Sequence, residues 1–413
     1  MNALTTPSNW QRVRLGDMTT SFTKQTGFDY SDFIKPTLIK EYLPNYIPFI
    51  QNKDFLGHYI NYKTDYFIPN EIAIRFPQIL LNEKCLLISI SGAIGNVAVF
   101  NHSQDAFIGG AIAVLKFKEK KSLDFVMHFL MSASGQKLLL NGVKSSSHKN
   151  LTIADLRDLL IPLPPLNEQI AIANILSDLD RYLCSLDALI LKKESVKKAL
   201  SFELLSQRKR LRGFNQNWQK VRLGDICYLK NGFSFKSDLF KNMGIPIIRI
   251  SNISSVDNCI NTNDLVFYDP ILIDNDYILK QGDLILAMSG ATTGKSCLYN
   301  LNKIAYLNQR VGVFRAKTSF CYDFLVQFVF SELFTSRLKL ILTAGAQPNI
   351  SSFDIEDFEI LLPPLNEQIA IANILSDLDN EITSLKNKKR QFENIKKALN
   401  HDLMSTKIRV LKK

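Results

Sequence analysis

One string of eighteen residues, LPPLNEQIAIANILSDLD, occurs twice in this chain, as Leu163 to Asp180 and again as Leu362 to Asp379. Identity over that length is not a product of composition, and a spacing of 199 positions lies far beyond the roughly 20 to 50 residues of solenoid and propeller repeats. Each copy therefore closes a unit large enough to be a domain with something added. Weaker echoes keep the same order. Asn9-Trp10-Gln11 with Val13-Arg14-Leu15-Gly16-Asp17 returns as Asn217-Trp218-Gln219 with Val221-Arg222-Leu223-Gly224-Asp225. Ile47-Pro48-Phe49-Ile50 answers Ile245-Pro246-Ile247-Ile248, Ser91-Gly92-Ala93 answers Ser289-Gly290-Ala291, and Asn150-Leu151 answers Asn349-Ile350. The landmarks are kept while the residues between them differ, so two related domains share a framework and present different surfaces.

The repeated string predicts a long helix. Pro164-Pro165 and Pro363-Pro364 impose an extended entry, after which a helix begins. Apolar residues then recur at Ile172, Leu176, Leu179, Leu183, Leu186 and Ile190, and at Ile371, Leu375, Leu378, Ile382 and Leu385, in the alternating steps of four and three of a coiled-coil seam. Lys193, Lys197, Lys389 and Lys396 thin the seams before Leu200, Leu204, Leu399 and Leu403 resume them. Each helix should run about 40 residues, or roughly 60 Å. A narrow stripe of that length needs a partner, and the other copy packed antiparallel is the economical one; the alternative is a helix that caps its own domain. The basic runs, among them Lys192-Lys193, Lys197-Lys198, Arg208-Lys209-Arg210, Lys388-Lys389-Arg390 and Lys396-Lys397, read as solvated faces in preference to DNA-backbone contacts.

With 46% hydrophobic residues, 413 residues suffice for two ordinary cores. No stretch approaches the 18 to 20 apolar residues of a membrane span, and the N-terminus lacks the pattern of a signal peptide, which predicts a cytoplasmic protein without membrane partners. Six scattered cysteines without a CxxC, and five dispersed histidines, argue against a disulfide frame or a metal site. A formal charge of +11 favours a polyanionic partner such as nucleic acid.

Between the landmarks, residues from about 10 to 160 and from about 218 to 360 mix β-rich runs (IRFPQILLN, CLLISISG, DLILAMSG, VGVFRAK) with helical patches (DFVMHFLMSAS, DFLVQFVFSEL), which predicts α/β domains with mixed sheets. Gly290 to Ser296 reads GATTGKS after a strand. It resembles a phosphate-binding loop, but is one residue short of the required spacing, and the matching SGAIGN of the first half has no lysine. No elbow, zinc-helix, amino-group-flipping or S-adenosylmethionine motif is present, so no catalytic constellation is expected.

Two variable domains, each closed by a PLPPLNEQ-like segment and a long helix, resemble the specificity subunit of a type I restriction-modification system. IPIIRISNI, SGATTGKS and the N-terminal WQxVRLGD are secondary marks of its target-recognition domains, and the resemblance covers essentially the whole chain. It implies a mixed α/β fold: target-recognition domains at 1–163 and 213–362, separated by helical regions at 164–212 and 363–413 that form an antiparallel coiled coil with pseudo-two-fold symmetry. It also implies a non-catalytic reader of double-stranded DNA, each domain taking one half of a bipartite target and the coil setting the spacer. Two modification (methyltransferase) subunits and motor-nuclease restriction subunits are the implied partners. S-adenosylmethionine and ATP belong to those partners, and this chain needs no cofactor. The competing readings are a stand-alone recognition module, a coiled-coil adaptor that touches no DNA, and an ATP-using enzyme built on GATTGKS.

Direct base readout uses forked or amide side chains on loops, since Arg suits guanine and Asn or Gln suits adenine. In the second domain this selects Arg249, Ser251, Asn252, Thr292, Thr293, Lys295, Gln309, Arg310, Gln347 and Asn349. The matched positions of the first are Gln51, Asn52, Lys53, Ser91, Asn96, Lys149 and Asn150, joined by Lys144 and His148. For Arg249 and Gln309 an ion pair or turn bond competes with DNA contact. For Asn150 and Asn349, just before a predicted helix, an N-cap role is the preferred reading.

Overall fold

A computed structural model of the chain describes residues 9–25, 27–143, 150–253, 258–343 and 349–410. The fold divides into two compact units, Met1–Asp187 with Lys388–Lys413, and Ala188–Asn387. Both divisions fall inside a long helix, so compactness cuts the chain differently from the four segments read in the sequence.

The first unit contains β1 (Gln11–Arg14), β2 (Thr19–Lys24), β3 (Tyr46–Ile50), β4 (Phe67–Pro69), β5 (Leu80–Leu81), β6 (Cys85–Ser89), β7 (Val97–Phe100), β8 (Ala106–Ile108) and β9 (Ile112–Phe117). Helices α1 (Leu123–Met131), α2 (Ala133–Val143) and α3 (Ile153–Arg157) follow, then β10 (Leu160–Leu163) and the long α4 (Leu166–Leu205). Its sheets run in the orders β4-β3-β8-β5 and β2-β9-β6-β7, with a separate β1-β10 pair. The second unit repeats the plan with β11 (Gln219–Arg222), β12 (Cys227–Asn231), β13 (Ile245–Ile248), β14 (Val266–Tyr268), β15 (Ile278–Leu279), β16 (Leu284–Ala287), β17 (Ser296–Leu298), β18 (Ala305–Leu307) and β19 (Val311–Ala316). Helices α5 (Tyr322–Val329), α6 (Glu332–Thr343) and α7 (Ser352–Glu356) lead to β20 (Glu359–Leu362) and the long α8 (Leu365–Met404). Its orders are β14-β13-β18-β15, β12-β19-β16-β17 and β11-β20, the same three pairings. Within each four-stranded pair of sheets β3 with β8, and β13 with β18, run parallel while the other pairs are antiparallel. The mixed sheets expected from the sequence are present in both units.

The unbroken apolar run of β6 follows from its place between two cores. Side chains alternate along a strand. Leu86 and Ile88 join Phe125 and Leu130 of α1, whereas Cys85 and Leu87 join Phe49 and Phe107 of the other sheet. In β16 the alternation recurs: Leu284 and Leu286 pack with Phe328 and Phe334, and Ile285 and Ala287 with Tyr299 and Val313. The run IRFPQILLN departs from its β reading. A short helix at Asn70–Ala73 and a turn through Pro77 leave only Leu80–Leu81 as strand, since proline cannot donate to a ladder. The helical patch DFVMHFLMSAS also breaks, at Ser132, whose hydroxyl donates to Phe129 O and accepts from Gly135 N–H. A Cβ at Gly135 would lie 2.0 Å from Phe129 O, so the tight join of α1 to α2 requires glycine.

The N-cap expectation for Asn150 and Asn349 is corrected by two residues. Thr152 caps α3 and Ser351 caps α7, each accepting from the N–H three residues on (Asp155, 3.1 Å; Asp354, 3.1 Å) while that aspartate accepts from the cap's own N–H. This reciprocal box satisfies two helix-end donors at once.

The repeated string starts both long helices in the same way. Pro165 O accepts from the N–H groups of Glu168 and Gln169, and Gln169 Nε2 folds back to Pro164 O at 2.7 Å; Gln368 does the same to Pro363 O at 2.7 Å. Within the first unit the start of α4 runs antiparallel to the end of α8. Asp180 pairs with Lys396, Asp187 with Lys389 (2.6 Å) and Glu168 with Arg409 (2.8 Å). Within the second unit the start of α8 runs antiparallel to the end of α4, with Asp379 on Lys197 (2.5 Å), Glu381 on Lys193 (2.8 Å) and Glu367 on Arg210 (2.7 Å). Lys193, Lys197, Lys389 and Lys396, which thin the apolar seams, are thus interhelical partners, which corrects the solvated reading for them, while Lys192, Lys198, Arg208, Lys209, Lys388, Arg390 and Lys397 of the same runs are exposed, as that reading expects. The seams also dock on the domains. Ile172 and Leu176 enter the core holding Trp10 and Leu403, and Ile371 and Leu375 enter one holding Trp218 and Leu204. Both sequence readings of the helices, partnered and capping, hold together.

Candidate nucleic-acid interface

In the second unit three segments meet at one end of the sheets. The β16–β17 turn, the β18–β19 turn and the strap before α7 are tied through backbone bonds from Met288 N–H to Arg310 O and from Ile350 N–H to Met288 O, both 2.9 Å. Between them lies a cleft of about 650 Å³ lined by Asn231, Ser289, Gly290, Gln309, Arg310, Asn349 and Ser351 among others. Gln309, Arg310 and Asn349 are exposed. The side chains of Gln309 and Arg310 make no hydrogen bond or ion pair among the described residues, although Arg210, Arg249, Arg315 and Arg409 are all paired with carboxylates. An unpaired guanidinium beside an unpaired amide on a fixed turn presents the donor forks suited to base edges or phosphates.

The GATTGKS segment is a hairpin turn. Gly290 and Gly294 take φ of 84° and 85°, where a Cβ is disfavoured. The N–H groups of Thr293, Gly294 and Lys295 go to Gly290 O, Ala287 O and Thr292 O, and the chain enters β17 at once. A phosphate loop instead offers its N–H groups at the start of a helix. Thr292 Oγ1 donates to Ile250 O at 3.0 Å and Thr293 Oγ1 to Gly290 O at 2.6 Å, so both hydroxyls shape the loop. Lys295 is half-buried on the same turn.

The expected readers on the neighbouring loop are partly withdrawn. Asn252 is fully buried; its Oδ1 accepts from Arg249 N–H at 3.0 Å and its Nδ2 donates to Asn261 O and Asp264 O, both at 3.2 Å. It builds the loop and reaches no partner. The Arg249 guanidinium holds Asp264 through its carbonyl (2.7 Å) and carboxylate (3.0 Å), so the ion-pair alternative is realised. Ser251 stays exposed between them.

The first unit has a cleft of about 270 Å³ at the matching β8–β9 turn, lined by Gln51, Asn52, Lys53, Gly109, Gly110, Ala111 and Ile112; it shares with the second unit's cleft the turn positions Gly110 and Ala111, which answer Gln309 and Arg310. Asp54 takes the place of Asn252: it is buried and accepts from Gln51 N–H at 2.8 Å. Burial pushes the Asp54 carboxyl up, against the bond from Gln51 and the charge of Lys53. Lys53 pairs with Asp65 and lies over the Tyr66 ring. Asn52 Nδ2 donates to Ser91 O at 2.5 Å, tying this loop to the β6–β7 turn, while its buried Oδ1 has no partner among the described residues. Asn96 and Asn150 are exposed near the same turn, where Ile90 O accepts from Leu151 N–H. Lys144, His148, Lys149 and Gln347 lie outside the described residues. Asn231 and Ser351 were missed, because only strand register brings them to the cleft.

Comparison with known proteins fits this duplicated plan. A family model described as the type I restriction modification DNA specificity domain matches residues 7–193 and again 215–394. The chain belongs to this family. The type I restriction enzyme MjaVIII specificity subunit of Methanocaldococcus jannaschii is 28% identical over 433 residues, covering 99% of this chain and 95% of its own length. Among solved structures, the type I restriction-modification S subunit of M. genitalium superposes with a TM-score of 0.63 at 16% identity, over 97% of this chain and 98% of that one. A chain from a structure of the type I R-M system solved to explain its assembly and conformational transition gives 0.55 at 17% identity, over 97% and 98%. The repeated string thus marks the end of each of two specificity domains. Among the described residues no helix is long and apolar enough to cross a membrane.

Proposed function

We propose that this chain is the non-catalytic subunit that gives a cytoplasmic type I restriction-modification complex its DNA sequence specificity. Each domain reads one half of a bipartite duplex target, and the paired helices set the unread spacer. One observation carries the reading: two specificity domains of the same strand order recur in the chain, with different side chains on their matching turns (Gly110-Ala111 against Gln309-Arg310), as two halves of an asymmetric site require. The partners are two modification subunits, which bind S-adenosylmethionine and methylate an extruded adenine in each half, and motor-nuclease subunits that use ATP. Neither cofactor is assigned to this chain. The net charge of +11 fits a duplex partner.

The test is a genome-wide map of methylated adenines in cells making the partner modification subunit, with and without this gene. A gene-dependent split motif with constant gap is the expected result. No such motif, despite assembly with the partner, would overturn the reading.

A further inference from the structure

The first cleft has a buried amide behind it. Gln25 directly follows β2, is 3% exposed, and among the described residues has no hydrogen-bond partner for either Nε2 or Oε1. Native folds keep few such groups, and those they keep call for an explanation. Its Oε1 stands 3.5 Å from where a Cβ on Gly110 would be, and Gly110 lines the cleft.

The second unit carries the reverse arrangement. Lys24 pairs with Ala113 as Asn231 pairs with Gly312, so the residues that follow, Gln25 and Gly232, occupy one structural position. In the same register Gly109-Gly110-Ala111 matches Asn308-Gln309-Arg310. A Cβ on Gly232 would lie 2.2 Å from Asn308 O, so glycine is required beneath that turn, and the amide stands on the turn as Gln309. In the first unit the turn is bare glycine and the amide stands beneath it. At this contact each unit thus has one glutamine, on the turn in the second unit and beneath it in the first, where Gln51 also lines the cleft.

We propose that Gln25 is a specificity-determining residue of the first domain, its amide giving the first half-site the base-edge contact that Gln309 gives the second. The inference rests on the DNA-reading function proposed above. Among the described residues no hydrogen bond holds the Gln25 amide in place, and Gly109 and Gly110 put no side chain between it and the cleft. The base is adenine, whose N6 donor and N7 acceptor match an amide in the major groove.

The experiment maps methylated adenines in cells making the partner modification subunit together with the wild-type chain, Gln25→Leu or Gln25→Glu. Gln25→Leu should relax one adenine in one half of the motif, lowering preference there by roughly 5- to 150-fold, with the other half and the gap unchanged. The purified variant should melt no lower than wild type, because the unsatisfied amide is gone. Gln25→Glu should shift that position toward cytosine, whose N4 donates to a carboxylate, and it decides the matter if Gln25→Leu does not fold. A motif unchanged in the folded variants overturns the proposal. Absence of any gene-dependent motif with the wild-type chain would instead remove the DNA-reading function itself.

Discussion

Asn252 and Gln309 are both amides that the sequence offers as base readers, and burial separates them. Asn252 spends its amide on two carbonyls and an N–H inside the loop. Asn252→Ala should therefore cost about 1–3 kcal/mol of stability, measured by denaturant unfolding. Arg310→Ala, at an exposed and unpaired position, should stay within about 0.5 kcal/mol. A second residue-scale contrast is His128, whose counterpart in the other unit is Gln327. Burial pushes the His128 imidazole from its usual 6.5 down to about 3, against the charge of the nearby Asp180, with His58 and Lys396 lowering it further. Between these values the unfolded chain takes up a proton that the folded chain refuses, so stability falls with pH by about 1.4 kcal/mol per unit below about 6.5. Above that pH neither state is protonated and the effect is absent. His128→Gln should flatten this slope in unfolding midpoints taken from pH 6.5 to 4. Asp180 acts lower still. Burial would raise its carboxyl, but His58 and Lys396 hold it below its usual 3.8, so the stability it contributes is lost only as pH falls beneath that value.

At the scale of elements, the paired helices are fixed by buried charge as much as by their apolar seams. Glu367 is fully buried, held by Arg210 at 2.7 Å and by Trp218 Nε1 at 2.9 Å. Glu367→Ala takes the carboxylate from the buried Trp218 Nε1 and from Arg210, which is partly exposed and keeps its bond to Gln216 O, at an expected cost of about 1–3 kcal/mol in thermal or denaturant unfolding. Lys193 with Glu381 is more exposed, and its loss should cost under about 1 kcal/mol. The β16–β17 hairpin makes a complementary point. Its glycines are demanded by positive φ, and its lysine stands on a turn where the N–H groups of Thr293, Gly294 and Lys295 are bonded within the turn and strand. If Lys295 meets a phosphate, Lys295→Ala should weaken every DNA sequence alike and reduce the slope of log affinity against log salt by about 1.

For the whole molecule, duplication has a direct functional consequence. The units share strand order, register, capping boxes and helix starts, and they differ on matching turns, as at Gly110-Ala111 against Gln309-Arg310. Replacing the variable segment of one domain, between its N-terminal WQ motif and its LPPLNEQ string, should change one half of the methylation motif and leave the other half and the gap as they were. Long-read mapping of methylated adenines reads both halves in a single experiment. A change in both halves would show that the domains do not read independently.

The sequence alone determined the duplication, the mixed α/β class and the two long helices, because identity, alternation and a heptad seam are local patterns that survive in one dimension; the structure decided that the helices both pair antiparallel and dock on the domains. The turns carrying Gln309, Arg310 and Lys295 were also legible there, from residue type next to glycine. Tertiary structure decided which of the chosen polar residues remain available. Asn252 and Arg249 close on Asn261 and Asp264, the seam lysines close on aspartates and glutamates some 180 to 220 positions away, and Gln25 is set beneath Gly110 by pairing of β2 with β9. Whether a polar side chain is spent inside the protein or offered to a partner depends on those distant neighbours, since an amide or a charge takes whichever partner the fold brings within about 3 Å.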